Sequence, residues 1–493
     1  MARWASGTSS GRRSPRAARI GLRIALLVLA LPLAGCPVGP NFVKPEPDMP
    51  PSYRSEAEAA EVESFASAPW WDVFHDDILR GLIDEALANN YNLRTAIDRV
   101  QQAQHVVGQT RSPLFPQVSY QGGAGRGQVF TGLGTPNTTI DNFLGTFNLA
   151  WEIDVWGRIR RATVSSMASL LATEAVRRGV VLSLVTGVAQ AYFDLQELDT
   201  ELEISRRTTE SFRETEALFT RRFQGGVDTM LSVDRAKAAL AQTAATIPQL
   251  EQQIVQQENL ICLLLGRQPG PIPRAPQMTL DAVPLQPPPG LPSELLERRP
   301  DILQAEQQIR ASNALVGVTE ANFFPRIGLT ALYGGQSTEL QNIVKGPGVV
   351  WQIAGSVLGP LFTGGQLTES YRAQKADWEA TKQQYEQTVL TALGEVSNAL
   401  IAQQKLGGVE DEQQKAVEAL RESVHLAILR YEGGLASYYE VLEAQQQLFP
   451  AENAVAQTQR NRLDATVQLY AALGGGWEAT DHPVSVGFWP TGP

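Results

Sequence analysis

Two stretches of this chain repeat each other at a nearly constant distance. Arg222-Phe223-Gln224-Gly225-Gly226-Val227 recurs 208 residues later as Arg430-Tyr431-Glu432-Gly433-Gly434-Leu435, and the same shift carries Leu265-Gly266 onto Leu473-Gly474. Upstream the shift is 209, taking Gly108 to Gly317 and Leu114-Phe115-Pro116 to Phe323-Phe324-Pro325. An offset held from residue 108 to residue 474 reads as a tandem duplication within one structural unit. The repeat is too long, and present too few times, for a solenoid.

Within each copy the pattern changes from helix to strand and back. No proline interrupts the stretch between Trp156 and Phe223, which is rich in Ala, Leu, Glu, Gln and Arg with apolar residues at helical spacing. About 60 residues at 1.5 Å each make a helix of roughly 90 Å. Its counterpart runs from Gln366 to Glu432. Helices of this length point to a coiled coil. Shorter helical stretches are expected near Asp77 to Gln109, Asp228 to Leu265, Ser293 to Asn322 and Ala436 to Leu473. The pair Gly407-Gly408 is expected to loosen or bend the second long helix midway.

Two short segments per copy alternate instead. From Phe143 to Val155 the odd positions read Phe, Gly, Phe, Leu, Trp, Ile, Val, while the even ones include Thr146, Asn148, Glu152 and Asp154. That is a strand with one apolar face. Val118 and Tyr120, Ile327 to Tyr333, and Trp351, Ile353 and Val357 alternate in the same way. The four strands are expected at residues 114–126, 142–155, 325–336 and 349–359. Taken alone they fit either a small soluble sandwich or a transmembrane barrel. Four strands cannot close a barrel, since about eight is the smallest that does, so a membrane reading requires an oligomer.

The N-terminus supplies the address. Arg3, Arg12, Arg13, Arg16, Arg19 and Arg23 precede an apolar run from Ile24 to Leu33, too short to cross a bilayer and proportioned like a signal-peptide core. The run ends in Leu33-Ala34-Gly35-Cys36, which matches the lipobox of bacterial lipoproteins, where the cysteine is acylated and becomes the new N-terminus. Pro37 follows where an Asp would resemble the inner-membrane retention signal, so sorting to the outer membrane is expected. The chain then divides into a signal peptide (1–35), a lipidated extended segment (36–76), a first copy (77–285), a second copy (286–476) and a tail (477–493). The seam between the copies is marked by Pro287-Pro288-Pro289-Gly290.

Chemistry-bearing residues are sparse. His75, His105, His425 and His482 have no second His or Cys at metal-ligand spacing. Gly122 to Gly127 is glycine-rich but lacks the Lys-Ser/Thr ending of a phosphate loop and opens no helix, so it reads as strand leading into an external loop. Cys262, within Leu260 to Leu265, reads as a small buried hydrophobe. The run Glu410 to Lys415 reads as the wet face of a helix. A net charge of -11 argues against nucleic acid, which needs clustered Lys and Arg. No catalytic constellation, metal site or cofactor is expected beyond the covalent lipid on Cys36.

Several motifs together resemble one family. Cys36 is followed by Val38-Gly39-Pro40-Asn41-Phe42 and Lys44-Pro45, then Trp70-Trp71, Phe74, Leu79, Leu82-Ile83, Ala86-Leu87 and Asn90, and later Phe324-Pro325, Arg430-Tyr431 and Val441-Leu442-Glu443-Ala444-Gln445. These resemble the TolC-like outer-membrane factors of tripartite efflux systems, in the lipoprotein branch of the NodT or OprM type. The resemblance implies a mixed α and β membrane protein and a homotrimer. Four strands per protomer would close a twelve-stranded β-barrel, and long coiled-coil helices would continue as a periplasmic α-barrel. It further implies a periplasmic adaptor and an inner-membrane efflux pump as partners.

It also implies a periplasmic gate. Glu440 and Glu443, three apart and so on one helix face, occupy positions where the family places acidic residues, commonly Asp, that line the constriction. Arg430 and Tyr431 match the pair that ties the closed helices together. The repeat places Ser232, Arg235 and Phe223 opposite Glu440, Glu443 and Tyr431, so the two copies differ in charge at this turn. The rival function is a structural coiled-coil lipoprotein that spaces envelope layers, for which alternating apolar strands would serve no purpose.

Overall fold

The absence of proline from residues 158–224 and 366–432 has its expected consequence: each stretch is one helix of 67 residues. The computed structural model describes residues 37–53, 73–129, 138–275 and 292–475. In the first half, α1 (Asp77–Asn89) and α2 (Tyr91–Arg111) precede β1 (Gln117–Val129), β2 (Thr138–Ile153), α3 (Arg158–Gln224) and α4 (Met230–Leu264). In the second, α5 (Leu295–Arg298) and α6 (Pro300–Ala321) precede β3 (Arg326–Ser337), β4 (Val349–Leu358), α7 (Gln366–Glu432) and α8 (Tyr438–Ala472). Helix α7 continues unbroken through Gly407 and Gly408.

Each long helix ends at a glycine pair. Gly226 and Gly434 take positive φ (76° and 73°), and Val227 and Leu435 return their N–H groups to the carbonyls of Arg222 and Arg430 at 3.0 and 2.8 Å. This closes the last turn with a left-handed residue that a Cβ would disfavour.

The stretch expected from Asp77 to Gln109 is two helices, because Asn90 does other work. Its backbone is extended (ψ 128°), its side-chain oxygen accepts from Leu93 N–H at 3.0 Å, and its amide donates to the Leu264 carbonyl at 2.8 Å. In the second half, Arg299 separates α5 from α6 and donates to the Ala472 carbonyl at 2.7 Å. A buried donor at a helix break thus satisfies the end of the following 35-residue helix in both halves.

The chain forms two compact units. Among the described residues, one comprises 37–45, 101–129, 138–171 and 306–383, and the other 46–53, 73–100, 172–275, 292–305 and 384–475. The first contains an antiparallel sheet in the order β1-β2-β3-β4. Shifting β1 by 209 and β2 by 208 carries the pair Gln117↔Ala150 onto Arg326↔Leu358, so the two hairpins share one register. Tyr120, Phe147, Tyr333 and Trp351 lie opposite one another across all four strands, and Val118, Leu149, Ala331 and Ile353 form the next row. The aromatic row is bare: the four residues are 84, 63, 62 and 72% exposed. The other face carries Ser119, Asn148, Leu332 and Gln352, then Gln117, Ala150, Thr330 and Ala354. The period of two therefore gives the sheet one apolar and one largely polar face, with β1 and β4 as open edges.

The N-terminal segment is strapped to the foot of this sheet. Val38 N–H donates to the Trp156 carbonyl at 3.0 Å, and Arg161 donates to the carbonyls of Val38 and Gly39 at 3.0 and 2.9 Å. Gly39 (φ 98°) lies against Gly317, where a Cβ would sit 3.0 Å from the Val38 carbonyl. Trp156 stacks on Phe324 at 4.7 Å and donates to the Pro325 carbonyl at 2.7 Å. Helix α3 starts where it does because Asp154 accepts from the N–H groups of Ile159 and Arg160 at 3.0 and 2.9 Å. Cys36, Trp70, Trp71, residues 287–290 and His482 lie outside the described residues.

Candidate gate at the helix turns

The two glycine turns bring the ends of α3 and α7 and the starts of α4 and α8 into one cluster. Its centre is aromatic: Phe219 lies 5.1 Å from Tyr431 and 3.9 Å from Tyr438 between ring centroids, with Phe212, Val441 and Leu442 packed around them. Beside the bond from Gln445 to Ser211 at 3.2 Å, a second polar tie crosses it. The Tyr431 hydroxyl donates to Asp228 Oδ2 at 2.8 Å, and the Arg222 guanidinium lies 4.6 Å above the Tyr431 ring and 3.9 Å from the same carboxylate.

Burial pushes the Asp228 carboxyl up, but the bonds from Tyr431, Ser232 and Thr229 N–H, with the charge of Arg222, outweigh it and hold the group below its ordinary range. Asp228 therefore stays ionised and remains a strong acceptor. Burial and the bond to Asp228 raise the Tyr431 hydroxyl, which stays a donor. Burial alone pushes Tyr438 up to about 12.

Of the four residues the sequence singled out, only Tyr431 enters this tie. Arg430 pairs with Glu440 across its own turn at 3.5 Å, and both side chains are about half exposed. Glu443 is exposed, its carboxylate receiving Gln447 at 3.5 Å. Asp228, Arg222, Phe219 and Tyr438 were missed. Arg222 was visible as the first residue of the repeated motif, but nothing in the spacing joined it to a residue of the other copy. The tie takes one partner from each half: the counterpart of Tyr431 is Phe223, 42% exposed, and that of Asp228 is Ala436.

The run at Glu410 also departs from expectation. Asp411, Glu412 and Lys415 are exposed, but Glu410 is 2% exposed and takes bonds from Gln414 and Gln459 and an ion pair from Arg462. Cys262 is fully buried, as read. His75, His105 and His425 are exposed, and among the described residues no group of three or more His, Cys, Asp or Glu could hold a metal ion.

The arrangement can hold helices together by a few polar bonds around an aromatic plug. Matches to known proteins bear on the chain as a whole. The model of the outer membrane efflux protein family matches twice, over residues 82–267 and 291–475. The probable efflux pump outer membrane protein TtgC of Pseudomonas putida is 32% identical over 464 residues, covering 92% of this chain and 95% of that protein. The cation efflux system protein CusC of Escherichia coli K12 is 29% identical over 451 residues, covering 91% and 98%. The solved structure of the outer-membrane channel OprN superposes with a TM-score of 0.82 at 31% identity, covering 90% of this chain and all of that one. With the family model matched in both halves of the chain, this protein belongs to the outer membrane efflux protein family.

Proposed function

We propose that this protein is the outer-membrane channel of a tripartite efflux system, a passive duct that receives substrates from an inner-membrane pump through a periplasmic adaptor. The observation that carries this reading is the four-stranded sheet, apolar and bare on one face and open at both edges. A spacer lipoprotein has no use for such a sheet. In lipid an open edge leaves backbone groups unsatisfied at a cost of several kcal/mol each, so the edges must be paired. Ion conductance of the purified protein in a planar bilayer tests the reading. A protein that inserts but does not conduct would favour the spacer.

The edges are closed by two further copies, giving a homotrimer with a twelve-stranded barrel. The tandem copies, 77–285 and 286–476, specify how. Alternation requires that β4 meet a neighbouring β1 with apolar faces matched, since a slip of one residue would turn every side chain over. Applying the internal shift to the β2–β3 pairing selects one register among those allowed. Phe147↔Tyr333 becomes Gly355 opposite Ala124 of the neighbouring copy, and Ile153↔Ile327 becomes Leu361 opposite Val118. This also gives a role to Leu361 and Phe362, which are 104 and 91% exposed in the single chain. Gly355→Cys combined with Ala124→Cys is expected to yield covalent dimers and trimers on mild oxidation. Gly355→Cys with Gly123→Cys, pointing to the other face, should not. Preferential cross-linking of the second pair would reject the register.

Cys36 carries the lipid anchor. Val38, two residues on, is tied to Trp156 at the foot of the sheet, which would place acyl chains beside the strands. Two or more chains anchor stably, at about 0.8 kcal/mol per buried CH2. Cys36→Ser is expected to abolish incorporation of labelled fatty acid, and undiminished labelling would remove the anchor. The protein is not an enzyme, and its gate lies at the helix turns. Tyr431 ties the closed helices through Asp228, while Glu440 and Glu443 give the mouth a cation-favouring charge, partly offset by Arg430.

A further inference from the structure

Away from the turns, α8 meets α3 at a cluster in which carboxylates outnumber cations. Arg460 of α8 donates through Nε to Glu197 at 2.9 Å, lies 3.3 Å from Asp194, and donates through Nη1 to Asp464 at 3.0 Å. One guanidinium thus serves three carboxylates. A fourth, Glu201, receives Gln457 at 2.9 Å. Among the described residues, the neighbours bonded from other helices bring no free cation: from α4, Gln257 offers its amide to Asp194 at 3.5 Å, and on the α7 side Glu410 is already paired with Arg462. Asp464 and Glu197 are each 8% exposed, and Asp464 Oδ1 is buried without a hydrogen-bond partner.

Buried charge in excess, beside a buried oxygen with nothing to bond, is costly in a way that one proton relieves. A protonated Asp464 is neutral, so its burial costs less. It also releases Arg460 toward Asp194 and Glu197, which belong to the opposite helix. The bond within α8 weakens and the bonds between α8 and α3 strengthen.

We propose that the Arg460 cluster is an acid-operated latch: a proton taken up from the periplasm by Asp464 fastens α8 to α3, so that mild acidification holds the duct closed. The proposal rests on the gate reading above, because α8 carries Tyr438 into the aromatic plug about 30 Å further along the same helix. Loosening α8 from α3 at the cluster frees the helix whose other end closes the turn. The direction follows from linkage. Burial first, then repulsion from Asp194 and Glu197, push Asp464 up to about 6 against the opposing pull of Arg460. A carboxyl raised in the assembled state contributes stability that is fully present below its ordinary range and is lost as pH rises through the raised value. The seam is therefore tight in mild acid and slack at neutrality. A carboxyl lifted from its ordinary range to about 6 can change the closed-to-open ratio by at most about 100-fold per protomer.

The test uses the full lipidated protein in planar bilayers, with resting conductance recorded from about pH 8 to about pH 5, alongside thermal unfolding of the assembly over the same range. The parent is expected to lose conductance at least about threefold, and to unfold at higher temperature, as pH falls through about 6. Asp464→Asn, which mimics the protonated acid, should hold the low conductance and flat unfolding temperature throughout. Glu197→Gln removes one repelling charge and should move both midpoints to lower pH. It also keeps the test alive if Asp464→Asn fails to assemble. Identical pH responses in parent and Asp464→Asn would overturn the latch, because the titrating groups would then lie elsewhere. A response in unfolding temperature without one in conductance would overturn its coupling to the gate. If conductance follows Asp464 while Tyr431 and Asp228 variants conduct like the parent, the latch stands and the gate assignment fails.

Discussion

Asp228→Ala is expected to open the resting channel by an order of magnitude or more, and Tyr431→Phe by less. The asymmetry comes from what each change leaves behind. Without its hydroxyl, position 431 still fills its place beside Phe219, and Asp228 keeps Ser232, Thr229 N–H and Arg222. Without its carboxylate, position 228 strands a buried tyrosine hydroxyl and removes the anion opposite Arg222. A buried polar group left unmade costs about 1 to 3 kcal/mol, and about 1.4 kcal/mol is tenfold in an equilibrium. The cost recurs in every protomer. Forces on this scale are small enough for adaptor binding to overcome.

Arg430→Ala added to Tyr431→Phe should contribute little more, because the Arg430–Glu440 pair is half exposed and stays within the second copy. Glu440→Ala with Glu443→Ala should weaken cation selectivity while leaving resting conductance near the parent's. Changes at Ser232 and Arg235, their counterparts in the first copy, should do less. Single-channel recording decides among these. If Asp228→Ala conducts and selects like the parent, the constriction is not at the turns.

Ile353→Lys is expected to prevent stable insertion, whereas Gln352→Lys should insert and alter only conduction. The residues are adjacent on β4 and point to opposite faces. Ile353 lies in the apolar row with Val118, Leu149 and Ala331, and Gln352 lies opposite Leu332 in the row with Ser119 and Asn148. A lysine facing lipid near the bilayer midplane costs about 2 to 4 kcal/mol, incurred three times in a trimer. A lysine facing the lumen keeps its water. The yield of heat-stable trimer in outer-membrane fractions reports the outcome. Equal yields from the two variants would mean that the apolar face does not contact lipid.

The elements were legible because each advertises itself locally. A proline-free run marked α7 from Gln366 to Glu432 with both ends correct, and period-two alternation placed all four strands within a few residues. The glycine turns were legible too: Gly226 and Gly434, which the sequence sets 208 residues apart, both take positive φ. The open-edged sheet followed from counting strands.

What the sequence could not supply was the partner of any given face. Periodicity reports which residues share a side of their own element and is silent about the element that covers it. Glu410 looked like its wet neighbours until Arg462 of α8 arrived. Asn90 looked helical until the end of α4 claimed its amide. Tyr431 was marked by its motif, but Asp228, far away in the chain, became its acceptor only when the two glycine turns met. The carboxylates around Arg460 were likewise unremarkable on separate helices. Local pattern settles conformation because it acts over a few residues. Charge, hydrogen bonding and burial depend on distances that only the folded chain sets.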